Sequence, residues 1–223
     1  MSQQAARLVV FTRTADYRHE SIPAGTEALR RVGAEDGFEV TATEDPAVLE
    51  REVARSGVAV VVFLSTSGDV LTPGAREALR LHVAGGGGFV GIHAAACTEY
   101  DWPYFGELLG ARFDRHPQLQ PGTVTVADHD HPSTRHLGAR WRFTDEWYDF
   151  RSAPRGVRVL ARADESSYEG GGMGEDHPLV WCHERLGGRV FYTALGHTAE
   201  AFADRDFLAH VRGGIRYAAG RRE

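Results

Sequence analysis

The chain has 223 residues, 42% of them hydrophobic and 25% charged, enough to bury a full core in one large domain or two small ones. Its formal net charge of -6 argues against a nucleic-acid or anionic-membrane partner. No apolar run approaches a membrane span, the first residues (MSQQAARLVVF) show no signal-peptide pattern, and Cys97 and Cys182 frame no disulfide scaffold, so a cytoplasmic protein is expected.

Arg7 to Phe11 (RLVVF) reads as a strand buried on both faces, as in a parallel sheet. A polar segment, Thr12 to His19, leads to a helix near Ser21 with Pro23 in its first turn; Gly37 closes that unit. Phe38 to Ala42 reads as a second strand. Asp45-Pro46 then opens a helix through Ala54, with aspartate as cap and proline at the first helical position. Val58 to Leu64 (VAVVVFL) is a third buried strand, and Thr72-Pro73 starts a third helix.

Four glycines, Gly85 to Gly88, precede a fourth strand, Phe89 to Ile92; His93 follows, and then Ala94-Ala95-Ala96, strong helix formers. The pattern is strand, sharp turn, helix, with a histidine on the bend. A nucleophile elbow has small residues around a serine or cysteine at that position. Here the small neighbours are present and the nucleophile is replaced by histidine. The bland alternative is a histidine that merely caps a buried strand. The glycine run has no GKS or GKT ending and precedes its strand, which excludes both a Walker loop and a dinucleotide fingerprint.

Strands alternating with helices of this length predict right-handed βαβ crossovers and a parallel sheet covered on both faces. No linker splits the chain, so one domain over residues 1–223 is expected. Trp102-Pro103 opens a helix to about Leu109. The second half is less regular. Gly122 to Ala127, Val157 to Ala161, Leu179 to His183 and Arg189 to Ala194 read as strands, and a final amphipathic helix spans about Phe202 to Ala219.

His19, His93 and His197 each follow a predicted strand of one sheet. If those strands are parallel and central, the three rings converge at one rim. Such a group can do acid–base work near neutral pH. It can equally hold zinc, since three histidines with an open position make a known catalytic arrangement, although no close His-x3-His pair anchors it here. Of the neighbouring acids Asp145 and Glu146, one is expected to enter the pocket, with Arg18 or a histidine as partner. The alternative is a solvated acidic turn. Tyr148 closes that Asp145–Tyr148 stretch, and Asp164-Glu165, Asp176-His177-Pro178 and Trp181 form a looser set of the kind that suits a polyhydroxylated ligand, with acceptors for hydroxyls and a ring against the apolar sugar face. Cys97 has no basic neighbour in sequence and reads as packed rather than reactive.

YRHESI (17–22), STSGDVL (65–71), GGGFVGIHAA (86–95), DEWY (145–148), DHPLVW (176–181) and GRVFYTALGHT (188–198) together resemble the ThuA family, named for trehalose utilisation, in the class I glutamine amidotransferase-like superfamily. The likeness runs from Leu8 to about Ala218. It implies a flavodoxin-like three-layer α/β/α sandwich with a mostly parallel central sheet. It also implies carbohydrate metabolism beside sugar dehydrogenases that make 3-keto sugars. Glutaminases of that superfamily carry an elbow cysteine and a His-x-Glu pair. Here the elbow holds His93, and His197 is followed by Glu200 at the wrong spacing, so glutamine hydrolysis is not expected.

Two readings follow. In the first, an enzyme acts on a sugar or keto-sugar, with His93 as central acid or base, His19 and His197 assisting, and Glu146 moving a proton. Arg18, Asp145, Tyr148, Glu165, His177 and Trp181 would bind the substrate. No cofactor is required by this reading, and a divalent metal such as zinc on His19, His93 and His197 stays open, as does homo-oligomerisation. In the second, a non-catalytic sugar-binding or regulatory protein keeps the fold without a nucleophile. Fold alone does not separate them.

Overall fold

A computed structural model describes residues 5–221; the remaining terminal residues, including the start of the segment read above for a signal, lie outside the described residues. The parallel half of the sheet forms from the apolar runs. It contains β1 (Arg7–Phe11), β2 (Glu39–Thr43), β3 (Val58–Leu64), β4 (Gly88–Ile92) and a strand late in the chain, Val190–Thr193. β1 and β4 are buried at every position, as are the last five residues of β3. Continuous Val, Leu and Phe runs form strands of this kind because helices cover both faces.

The helices are α1 (Ile22–Glu35), α2 (Pro46–Ala54), α3 (Pro73–Ala84), α4 (Pro103–Leu109) and α5 (Arg205–Ala218). The expected caps form at two of them: Asp45 accepts the Ala47 N–H at 2.8 Å and Thr72 accepts the Ala75 N–H at 3.1 Å. Ser21 makes no cap; its hydroxyl donates instead to the Gly196 carbonyl. α1 packs on α5 and α2 on α3, two helical layers flanking the sheet.

The remaining strands are β5 (Gln120–Val126), β6 (Arg140–Asp145), β7 (Arg158–Ala163) and β8 (Pro178–His183), and Val190–Thr193 is β9. Among the described residues the main sheet has nine strands in the order β2-β1-β3-β4-β9-β8-β7-β5-β6. The first five run parallel, in the flavodoxin-like order 2-1-3-4-5 when counted within that half. From β9 outward every pairing is antiparallel. The expected α/β sandwich with a parallel core is present, extended by an antiparallel wing.

That wing curls. β6 lies four places from β9 in the ladder, about 19 Å in a flat sheet at the usual strand spacing. Yet Asp145, its last residue, bonds to Gly196 just beyond β9. Phe143 of β6 likewise stacks on Phe207 of α5, with ring centroids 5.5 Å apart. The curl brings the outermost strand back over the carboxyl ends of the parallel strands.

Two local expectations are corrected. Ala94 to Ala96 form a single 3-10 turn with His93, after which Cys97–Thr98 pairs in parallel with Ser67–Gly68. Helix propensity is overridden by this non-local ladder and by a Thr66–Thr98 hydroxyl contact of 2.7 Å. The last helix begins at Arg205, where Asp204 caps the Phe207 N–H; Phe202 sits in a separate short turn.

Candidate functional site

The elbow is real in its backbone. His93 has a φ of +52°, a left-handed conformation that costs a non-glycine residue about 1–2 kcal/mol. Two residues earlier the strand carries glycine because Leu109 packs against it: a Cβ there would lie 2.6 Å from Leu109 Cδ1. The strain lifts the imidazole off the end of β4 and under Tyr148. His93 is fully buried.

His19 arrives from the loop after β1 and His197 from the loop after β9. The His19–His93, His19–His197 and His93–His197 ring centroids lie 4.7, 5.2 and 5.3 Å apart. All three rings therefore meet at the carboxyl rim of the parallel strands, where open α/β sheets bind ligands. Glu146, just past β6, joins them: Glu146 Oε2 is 3.1 Å from His197 Nδ1 and 3.5 Å from His93 Nε2. One donor atom from each of these four residues fits within a mutual distance of 4.8 Å.

The electrostatics follow from this crowding. Burial alone would raise the Glu146 carboxyl, but the His197 and His93 rings hold it well below the usual carboxylate range. Burial pulls His19 down to about 3, aided by the neighbouring His93 and His197. Burial also opposes charge on His197, but Glu146 more than offsets it and the net direction is up. The cluster thus combines a carboxylate, a neutral imidazole and a readily protonated one.

Asp145 and Glu146 divide as alternation requires, but Asp145 does not face a ligand. Its carboxylate is wholly buried and accepts the backbone N–H groups of Glu146, Gly196 and His197 at 2.8, 2.7 and 3.2 Å. It ties the Glu146 and His197 loops together. Tyr148 approaches His93 Nε2 with its hydroxyl at 2.9 Å and lines the cavity in front of it.

The other expected contacts lie elsewhere. Arg18 turns outward and pairs with Glu44 at 2.6 Å. Trp181 is fully buried in β8, its indole N–H donating to the Leu109 carbonyl at 2.8 Å; it is core, not a sugar platform. His177 and Glu165 form a second group with Asp149 behind Tyr148. His177 Nδ1 meets Glu165 Oε1 and its Nε2 meets the Tyr148 carbonyl, both at 2.8 Å. They brace Tyr148 rather than reach the cavity.

The cavity above the cluster has a volume of about 440 Å³, within the range of small-molecule sites. Besides His19, Glu146 and Tyr148 it is lined by Tyr17, Tyr100, His116 and Arg151, none of which the sequence singled out. His116 Nδ1 lies 3.6 Å from Glu146 Oε1, yet DRHPQ matches no motif; the chain's eleven histidines were its only signal. Arg151 lies 4.3 Å over the Tyr100 ring.

The sequence matches the ThuA family, described as trehalose utilisation, over residues 7–218. The chain belongs to the ThuA family. A ThuA-like protein from Bacteroides uniformis superposes with a TM-score of 0.78 at 25% identity, covering 98% of this chain and 94% of that one. A ThuA-like protein from Parabacteroides merdae gives the same TM-score at 22% identity, over 97% and 91%. PurLQS from Thermotoga maritima, at 14% identity and a TM-score of 0.58 over 96% and 99%, shares the fold alone. A search of the curated proteins found no significant match. In this ThuA protein His93, at the end of β4, holds the elbow position.

The nearest thiol does not supply an elbow nucleophile. Cys97 borders the cavity, but burial pushes its thiol up to about 12, far from the thiolate a nucleophile needs. Cys97→Ala should therefore leave turnover essentially unchanged, against the roughly 100-fold loss that removing a participating acid–base group brings. Rapid alkylation of Cys97 at pH 7 with matching loss of activity would revive a thiol mechanism.

Proposed function

We propose that this ThuA protein is an enzyme acting on a sugar or 3-keto-sugar, using His93, His19, His197 and Glu146 for acid–base chemistry in a cytoplasmic setting. The observation that carries the reading is the four-residue cluster, two of whose members, His19 and Glu146, line a cavity of about 440 Å³. A structural role would not need three imidazoles and a carboxylate at one rim, and trehalose utilisation is the family's description.

The chemistry follows from the groups. A carbonyl acidifies the neighbouring carbon–hydrogen bond. Glu146, kept ionised, or an imidazole lone pair removes that proton. His197, whose affinity for a proton Glu146 raises against the cost of burial, sits within reach to return a proton to oxygen or carbon, giving isomerisation or elimination. Tyr17, Tyr100 and Tyr148 offer rings and hydroxyls to a polyhydroxylated ligand.

Exchange of the carbon-bound proton in deuterated water tests the reading without prior choice of product. A 3-keto disaccharide incubated with the protein should gain deuterium beside its carbonyl, followed by NMR. Glu146→Gln should slow that exchange by about 100-fold or more. A panel of keto-sugars that neither exchange nor react would instead favour a sugar-binding protein.

A further inference from the structure

We propose that His19, His93, His197 and Glu146 bind one divalent transition-metal ion of the zinc class. The inference rests on the same cluster as the functional reading and specifies what the cluster holds.

The tautomer of His93 comes first. Its Nδ1 lies 2.7 Å from the Ala194 carbonyl, which can only accept, so Nδ1 carries the hydrogen. Nε2 is then a bare lone pair aimed into the cluster. An imidazole whose distal N–H is fixed on a backbone carbonyl is the usual second shell of a metal-ligating histidine.

That lone pair has too many neighbours for hydrogen bonding alone. His19 Nε2 lies 3.1 Å away, the Tyr148 hydroxyl 2.9 Å and Glu146 Oε2 3.5 Å. The carboxylate and the bare nitrogen are both acceptors, with nothing between them to donate. His197 Nδ1 lies 3.1 Å from the same Glu146 oxygen, yet the atom is buried without a hydrogen-bond partner. His19 has no other polar anchor, since its Nδ1 is likewise buried and unpartnered. A shared cation would stabilise the facing acceptors Glu146 Oε2 and His93 Nε2 and satisfy the unpartnered Nδ1 of His197.

The spacing agrees. A tetrahedron with zinc–nitrogen distances of about 2.0–2.1 Å has edges of about 3.3 Å. The shortest donor separations here are 3.1, 3.1 and 3.5 Å. Three imidazole nitrogens and one carboxylate oxygen favour zinc and its first-row neighbours over magnesium or calcium, which prefer oxygen. The carboxylate sits on the side that borders the cavity, where a substrate carbonyl or hydroxyl could enter the coordination sphere. Asp145 supplies the supporting layer: by holding the backbone at Glu146 and His197, it fixes two of the four ligands.

Chelator-treated protein titrated with cobalt(II) and zinc(II) is the test. Uptake of one cobalt per chain with visible ligand-field bands, displaced by one zinc, is expected. His19→Gln and His197→Gln should each weaken binding by at least about tenfold, whereas His136→Gln, at an exposed histidine bonded to the Asp206 carbonyl, should match the parent. Should a variant misfold, cobalt-loaded parent protein still reports through paramagnetically shifted imidazole resonances. No uptake, or uptake that survives both cluster variants with no shifted imidazole signals, overturns the inference. The two proposals fail separately. Metal uptake without proton exchange on keto-sugars removes the functional reading only, and exchange by metal-free protein that takes up no metal removes this one.

Discussion

Turnover of a 3-keto sugar should fall by about 100- to 10,000-fold when His93 is replaced by asparagine, the range typical of a lost acid–base group. Asparagine is the informative substitution because it tolerates the left-handed backbone at φ +52° better than alanine does. The fold should survive with a loss of roughly 1–2 kcal/mol, from the bond to the Ala194 carbonyl and a small void. Alanine would cost more, since His93 is fully buried. Melting temperature and turnover measured on the same preparation separate the roles. A cap that only closes a strand would lose stability and keep activity; the reverse order is expected here.

Mild acid should destabilise the protein strongly, through histidines remote from the site. Burial pulls His131 and His183 down to about 4 and His210 to about 3, from an ordinary 6.5. Each is held as the neutral ring. His210 Nδ1 donates to the Ser133 carbonyl and its Nε2 faces the Thr193 hydroxyl. His183 Nε2 donates to the Leu108 carbonyl, and His131 Nδ1 accepts the Ser133 N–H. The folded values are depressed, so the unfolded chain takes up protons first as pH drops. Stability is complete above about pH 6.5 and declines below it, down to the folded values near 4 and 3. One pH unit below 6.5 costs about 1.4 kcal/mol per histidine, or roughly 4 kcal/mol for three. Domains are stable by only about 5–15 kcal/mol, so urea midpoints should drop steeply between pH 7.5 and 5.5. His210→Gln should flatten that slope by about one third. A midpoint indifferent to pH over this interval would mean that these rings are not held neutral.

The parallel half was legible because its signals are local. RLVVF, VAVVVFL and the Asp45-Pro46 and Thr72-Pro73 caps each specify their element within a few residues. His19, His93 and His197 could be placed together because each follows a strand whose direction that pattern fixes. The antiparallel wing was read only as scattered strands. Its order depends on pairings such as Gln120 with Asp145 and Val124 with Ala163, which no short window records. For the same reason Asp145, His177 and Trp181 read from sequence as substrate contacts, which the fold does not make them. Their partners are the backbone of Gly196, the Tyr148 carbonyl and the Leu109 carbonyl, all distant in sequence. A residue's chemistry is visible in its type, but whether it meets a ligand or a carbonyl is decided by chain crossing.

The curled wing has a kinetic consequence. Glu146 hangs from β6, the outermost strand of the sheet, while the three imidazoles belong to its parallel centre. Edge strands exchange their amide hydrogens through local openings that cost less than global unfolding. An opening confined to β6 would withdraw the carboxylate and leave the imidazoles standing. Heat inactivation can then run ahead of the loss of circular dichroism, and the amides of Arg140 to Asp145 would set its pace in hydrogen exchange.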